Sequence, residues 1–270
     1  MVFAIGFVYY PFARTFMYSF SIVNAKGKIL QFCGLENFRI LFKNPTFAIA
    51  LRNTLHLTAM FVPLNLACSL GLALLAAQKR RLSPVYETMF TMPMAVSMPA
   101  ATLIFRLLLH PTIGIVNYKL GLRFGWFLDA STAIYGILLI CLFMGIPFDF
   151  LLFLSALRGT PRQLIEAAKL DGAGYLARLF RIRIPMITPT ILYVVCTNMV
   201  LAMMTAGPVL IATHGGPGRS TTTLIYMMYA SGYQSSNYSA AACLSIVTFV
   251  LTFGMVLTAA LFERGGVHYE

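Results

Sequence analysis

Long, continuous apolar runs organise this chain, and no stretch alternates apolar and polar residues for long. The runs fall at 2–22, 54–77, 88–109, 131–157, 184–212 and 240–262. A helix needs roughly 20 apolar residues to cross a hydrocarbon layer about 30 Å thick, and these runs meet that length. A membrane β-barrel would instead show alternating strands of about ten residues. The pattern predicts an all-α membrane protein of six transmembrane helices, forming a single domain over residues 1–270. The first run is expected to be a span, not a cleaved leader. Arg14 lies inside it, no basic segment precedes it, and no small-x-small cleavage site follows.

Composition strengthens this picture. Of 270 residues, 59% are hydrophobic and only 10% charged, and the mean hydropathy is +0.80. Soluble domains carry about 25% charged residues. A soluble enzyme, a disulfide scaffold and a disordered chain are therefore excluded. The net charge of +12 reads as membrane topology, not as a nucleic-acid surface, because Lys and Arg mark cytoplasmic loops. Ten basic residues fall on one side: Lys79, Arg80, Arg81, Arg158, Arg162, Lys169, Arg178, Arg181, Arg183 and Arg264. Eight fall on the other: Lys26, Lys28, Arg39, Lys43, Arg52, Lys119, Arg123 and Arg219. The first set clusters next to span ends, which predicts that both termini are cytoplasmic. The five cysteines form no CxxC pair, and His56, His110, His214 and His268 form no cluster. No disulfide, metal, cofactor or catalytic site is expected.

The outer connections differ from one another. Leu35, Phe38, Leu41 and Phe42 share one helical face, as in a helix lying among lipid headgroups. Residues 111–130 carry Trp126 and several glycines, an irregular cap with an interfacial anchor. Residues 213–239 are rich in Gly, Ser, Thr and Tyr. Within the spans lie Pro63, Pro93, Pro99, Pro147 and Pro189, with Pro208 near an end. Each removes a helix hydrogen bond, which membrane helices tolerate where neighbours or water satisfy the freed carbonyls. Such helices suit a protein that lines a path. Asn65, Asp149, Asn198 and Thr205 are the polar span residues that could contact a solute there. For the asparagines and the threonine the competing role is hydrogen bonding between helices. For Asp149 it is a water-facing position near Arg158.

The inner loop 158–185, RGTPRQLIEAAKLDGAGYLARLFRIRIP, is the informative segment. Thr160 is expected to cap a helix, with Pro161 at its first position and Gln163 completing a capping box. That helix runs to about Asp171, where Gly172 supplies a left-handed stop. A second short helix at about 174–181 follows. Ala167, Ala168 and Gly172 form a patch poor in side chains, with Glu166 beside it. Such a knob fits a groove on a partner protein. Gly172-Ala173-Gly174 and the run from Gly215 to Thr221 imitate nucleotide-binding loops. The first lies between helices instead of after a strand, and the second lacks a Gly-Lys pair.

Glu166-Ala167-Ala168, Gly172 and Ile182-Arg183-Ile184-Pro185 match the EAA signature (EAA, three residues, G, nine residues, I-x-L-P), with Ile184 in place of Leu. On this string the chain resembles the permease subunits of binding-protein-dependent ABC importers. GLENFRILFKNP (34–45), NTLHLT with VPLNLACSLGLALL (53–75) and THGGPGRSTTTLIYMMY (213–229) resemble the sugar and glycerol-phosphate branch. The resemblance implies half of a translocation path for a sugar or related small polar solute. It implies a second permease, two ATP-binding subunits and an extracytoplasmic solute-binding protein as partners in a bacterial or archaeal cell membrane. Hydrolysis belongs to the ATPase, so the permease itself is no enzyme. Glu166, Ala167, Ala168, Asp171, Gly172, Ile182 and Pro185 would receive the ATPase, and Gly215, Gly216 and Pro217 would dock the binding protein. The chain departs from the family in the few residues before Tyr10-Pro11 and in an apolar Met203–Pro208 stretch. An ion-coupled secondary transporter and a non-transporting assembly subunit are the alternatives; the first requires buried acids and an inverted repeat.

Overall fold

The computed structural model describes residues 2–77, 83–121 and 124–263. The predicted basic residues Lys79, Arg80, Arg81, Arg123 and Arg264, together with His268, lie outside them. Among the described residues, four helices are long and apolar enough to cross a membrane, five if one bent pair is counted.

The chain begins in helical pieces at Val2–Ala4 and Ile5–Tyr9, then α1 (Tyr10–Ser19). A hairpin of β1 (Ser21–Val23) and β2 (Ile29–Phe32) follows. The predicted span 2–22 is thus helical only to Ser19. The all-α expectation misses this hairpin, whose turn is closed locally: Asn24 Oδ1 accepts from the amides of Lys26 and Lys28, and Gly27 takes φ +75°. Then come α2 (Glu36–Lys43), α3 (Pro45–Ala76), α4 (Ser83–Thr91), α5 (Met98–Leu108), α6 (Ile115–Leu120) and α7 (Ala133–Gly159). In α2, Leu41 is buried and Phe38 packs beside it. Leu35 and Phe42 are exposed, so the predicted face is split.

The long helix α3 starts where Asn44 Oδ1 accepts from Thr46 N at 2.9 Å, with Pro45 in the first turn. The predicted span 88–109 is instead a bent pair. Residues Ser83–Ala95 and Met98–Leu108 meet at 102°. Val96 is extended, Pro93 lies in the 3₁₀ turn before it, and Pro99 lies in the first turn after it.

After α7 come α8 (Arg162–Leu170), α9 (Tyr175–Arg178), α10 (Thr188–Met203), α11 (Gly207–Ala212), α12 (Leu224–Tyr229) and α13 (Tyr238–Glu263). The predicted span 184–212 is interrupted between α10 and α11.

Two apolar clusters fill the centre. Leu57, Phe61, Ile134, Ile137 and Val209 pack at one end. Ala73, Phe150, Phe153, Leu157 and Val194 pack at the other. A third, with Leu41, Phe47, Met203, Leu224 and Leu244, ties α2 and α12 to α13. Helix α3 separates the two ends. Asn53 holds the 213–223 loop, while the carbonyl of Ala76 contacts Arg158 beside the 160–183 loop. At 1.5 Å per residue these contacts lie about 35 Å apart along the helix, close to the thickness of a hydrocarbon core.

Candidate functional site: a polar layer, two loops and a clamp

Between the two central clusters lies a polar layer. Asp149 Oδ2 accepts from Asn65 Nδ2 at 2.5 Å and from Asn198 Nδ2 at 2.6 Å. Asp149 is 2% exposed, and both asparagines are fully buried. One carboxylate thus ties α3, α7 and α10 together at mid-span, where an unpaired polar group would be costly. Oδ1 of each asparagine has no partner. Three of the four predicted path residues therefore meet in one buried network. Asp149 makes no contact with Arg158.

Thr205 stands apart from that network, in the interruption between α10 and α11. Its hydroxyl donates to Leu201 O at 3.0 Å. It lines a cavity of about 280 Å³ together with Phe61, Met98, Cys141, Met204 and Gly207. Met98 lies hard against Gly207, where a Cβ would meet its methyl at 1.8 Å. A second cavity of about 460 Å³ shares Met204 as a wall and is lined by Ser245, Thr248, Thr252 and Phe249 of α13. The hydroxyl of Thr248 is buried without a partner. Sequence analysis missed this stripe, although residues 245, 248 and 252 share one helical face.

The 158–185 loop is compact. Thr160 does not cap α8. Both Thr160 and Pro161 are extended, the helix begins at Arg162, and no side-chain cap forms. Proline disfavours a helical residue before it. The extended Pro161 moves the start on by one residue and leaves the Thr160 hydroxyl buried without a partner. The other end follows expectation. Ala173 N donates to Ala168 O at 2.9 Å, Gly172 N donates to Lys169 O at 3.1 Å, and Gly172 takes φ +78°, which is a Schellman stop. Nothing lies within 4 Å of a Cβ at Gly172. Glu166, Ala167, Asp171, Gly172 and Pro185 are exposed, and Ala168 and Ile182 are half-buried. The second helix is shorter than expected, Tyr175–Arg178, and passes into a π turn at Leu179–Arg183.

A clamp anchors this loop. Arg158 donates to both Glu87 oxygens, Nη1 to Oε2 at 3.1 Å and Nη2 to Oε1 at 2.5 Å, and Nη2 also reaches Ala76 O at 3.2 Å. The ends of α3 and α7 are joined to the middle of α4 in this way, four residues before α8 begins. Glu87 was legible as an isolated acid at the start of a predicted span.

The 213–223 loop is built differently. Thr221, Thr222 and Thr223 are buried. Thr222 Oγ1 donates to Gly215 O at 2.9 Å, Thr221 Oγ1 to Gly216 O at 2.8 Å, and Thr223 Oγ1 to Thr205 O at 3.0 Å. Asn53 Nδ2 donates to the carbonyls of Arg219 and Thr222. Tyr226 Oη donates to His214 O at 2.6 Å. Burial, reinforced by the nearby Tyr229, raises the Tyr226 phenol above its ordinary value, so it remains a donor. Of the predicted docking residues, Gly215 is buried and Gly216 and Pro217 are half-buried; the exposed tip is His214, Gly218 and Arg219.

Residues 69–265 match the family described as binding-protein-dependent transport system inner membrane component. The chain is 33% identical over 268 residues to the sn-glycerol-3-phosphate transport system permease protein UgpA of Pectobacterium atrosepticum, covering 98% of this chain and 91% of that one. It is 32% identical over 275 residues to the protein of the same name from Salmonella typhi, covering 100% and 93%. The fold matches the crystal structure of a bacterial ABC transporter involved in the import of the acidic polysaccharide alginate. The TM-score is 0.87 at 21% identity, over 99% of this chain and 93% of that chain. These matches set aside the secondary-transporter and assembly-subunit alternatives. The chain therefore belongs to the inner-membrane components of binding-protein-dependent transport systems, the permease subunits of bacterial ABC importers.

Proposed function

We propose that this permease, as a single domain over residues 1–270, forms half of a translocation path for a small, hydroxyl-bearing polar solute of the sugar or glycerol-phosphate type. A second permease completes the path. Two ATP-binding subunits lie on the cytoplasmic side and receive the 158–185 loops, and an extracytoplasmic binding protein docks at the other face. Both termini are cytoplasmic in this reading, and a bacterial or archaeal cell membrane holds the complex. The outer tip at His214, Gly218 and Arg219, supported by Gly215, Gly216 and Pro217, meets the binding protein.

The observation that carries the coupling role is the projecting stop of α8. Glu166, Ala167 and Gly172 are exposed, with open space at Gly172, so a partner's backbone can approach closely. Arg158 and Glu87 join this knob to α4, which leads through the 102° bend to α5 and on to Met98 against Gly207. ATP and the loaded binding protein bias a two-state motion of these elements from opposite faces. The Thr205 cavity and the Ser245, Thr248 and Thr252 stripe are the surfaces past which the solute moves. The buried Asn65–Asp149–Asn198 layer holds the spans together beside that path.

Gly172→Asp in the assembled transporter tests the coupling assignment. The subunit inserts and assembles, and stimulation of ATP hydrolysis by loaded binding protein is lost. Normal stimulation in this variant would remove the assignment.

A further inference from the structure

Between α8 and α9 the inner loop encloses a pocket of about 290 Å³. It is lined by Ile165, Lys169, Tyr175, Arg178, Leu179 and Arg183. Three cations and a phenol face one small space. Among the described residues the ion pairs are Arg39–Glu36 and Arg158–Glu87, so no described carboxylate forms an ion pair with Lys169, Arg178 or Arg183. Arg178 spends one nitrogen on Ala173 O. Arg183 Nη1 is buried with no hydrogen-bond partner. Cations gathered around an enclosed space, one with an unused buried donor, call for an anion with several acceptor oxygens.

The position of the pocket narrows the source. Arg183 precedes the span beginning at Thr188 by five residues, about 8 Å in helical rise, which is headgroup depth. Leu176 and Phe180, beside the pocket, are 65% and 61% exposed, as suits side chains that enter the acyl boundary. Basic pockets beside spans on the cytoplasmic side bind anionic headgroups. We infer that this pocket binds the phosphate of an anionic phospholipid, with Arg183 and Lys169 as the main ligands and Tyr175 as a further donor. The bound lipid would fix the 158–185 loop against the membrane. This inference rests on the cytoplasmic orientation proposed above, but not on the coupling role.

The test uses the assembled transporter in nanodiscs of phosphatidylcholine with or without phosphatidylglycerol. Native mass spectrometry after partial delipidation counts the phosphatidylglycerol retained on this permease. Arg183→Gln lowers retention roughly tenfold, Arg183→Lys preserves most of it, and Arg181→Gln, removing an equal charge from an exposed site two residues away, changes it less than twofold. Equal loss in Arg181→Gln and Arg183→Gln would reduce the pocket to diffuse attraction and overturn the site. Protection of the pocket by inorganic phosphate alone, with no retained lipid, would overturn the lipid as ligand. Thiol labelling of Leu176→Cys in sealed vesicles reports the orientation separately, so its failure is distinguishable from failure of the site. Gly172→Asp leaves lipid retention unchanged, which separates this inference from the coupling role.

Discussion

Gly172 and Gly215 take almost the same positive φ, +78° and +79°, at opposite ends of the molecule. Their surroundings are opposite. A Cβ at Gly215 would lie 2.5 Å from a Tyr226 ring carbon and 2.8 Å from the Thr222 hydroxyl, whereas a Cβ at Gly172 meets nothing within 4 Å. The 213–223 loop is wired to its own chain through buried threonines, Asn53 and Tyr226. The 158–185 loop exposes apolar side chains, with Leu170 at 90%. A positive φ thus serves two purposes. Gly215 lets a self-contained surface close, and Gly172 ends a helix with open space around it.

Four substitutions sharpen or break this contrast. Gly215→Val carries the largest effect. A β-branched residue at positive φ adds strain to a clash, and the cost is about 3 kcal/mol or more, read as a lower thermal midpoint of the detergent-solubilised transporter. An unchanged midpoint would show that the outer loop relaxes freely. Arg158→Gln comes next. It leaves Glu87 partly buried opposite a neutral amide, costs about 2 kcal/mol, and weakens stimulated ATP hydrolysis. Restoration by the double exchange Arg158→Glu with Glu87→Arg would identify the pair as the joint between loop and α4, and a double exchange no better than either single would not. Leu170→Ser is expected to leave stability within about 0.5 kcal/mol while lowering stimulated ATP hydrolysis roughly tenfold. A stability loss with full stimulation would mean that Leu170 packs within this chain. Gly172→Asn lowers stability by under about 1 kcal/mol, because Asn tolerates the left-handed region. A loss as large as that at Gly215 would end the distinction between the two loops.

The polar residues separate what was legible along the chain from what was not. Asn65, Asp149 and Asn198 stood out as rare polar groups in apolar runs, because burying them without partners is expensive. Their partnership was invisible, since residues 65, 149 and 198 lie on three helices. Arg158 shows the same limit. Nothing along the chain pointed to its partner, Glu87, which packing brings from 71 residues away. Thr160 illustrates a local failure, where the extended geometry of Pro161 overrode an apparent capping box.

Membrane class, the knob after α7 and its glycine stop were determined along the sequence, because each depends on continuous hydrophobicity or on the geometry of one turn, and the family followed from the resemblance carried by the string Glu166 to Pro185. Tertiary structure decided the three-helix polar layer and the clamp, because these join segments far apart in the chain, and desolvation in a close-packed interior selects which polar groups meet. The bend at Val96–Ser97, the hairpin and the cationic pocket are built from neighbouring residues, yet their geometry emerged only in the folded chain.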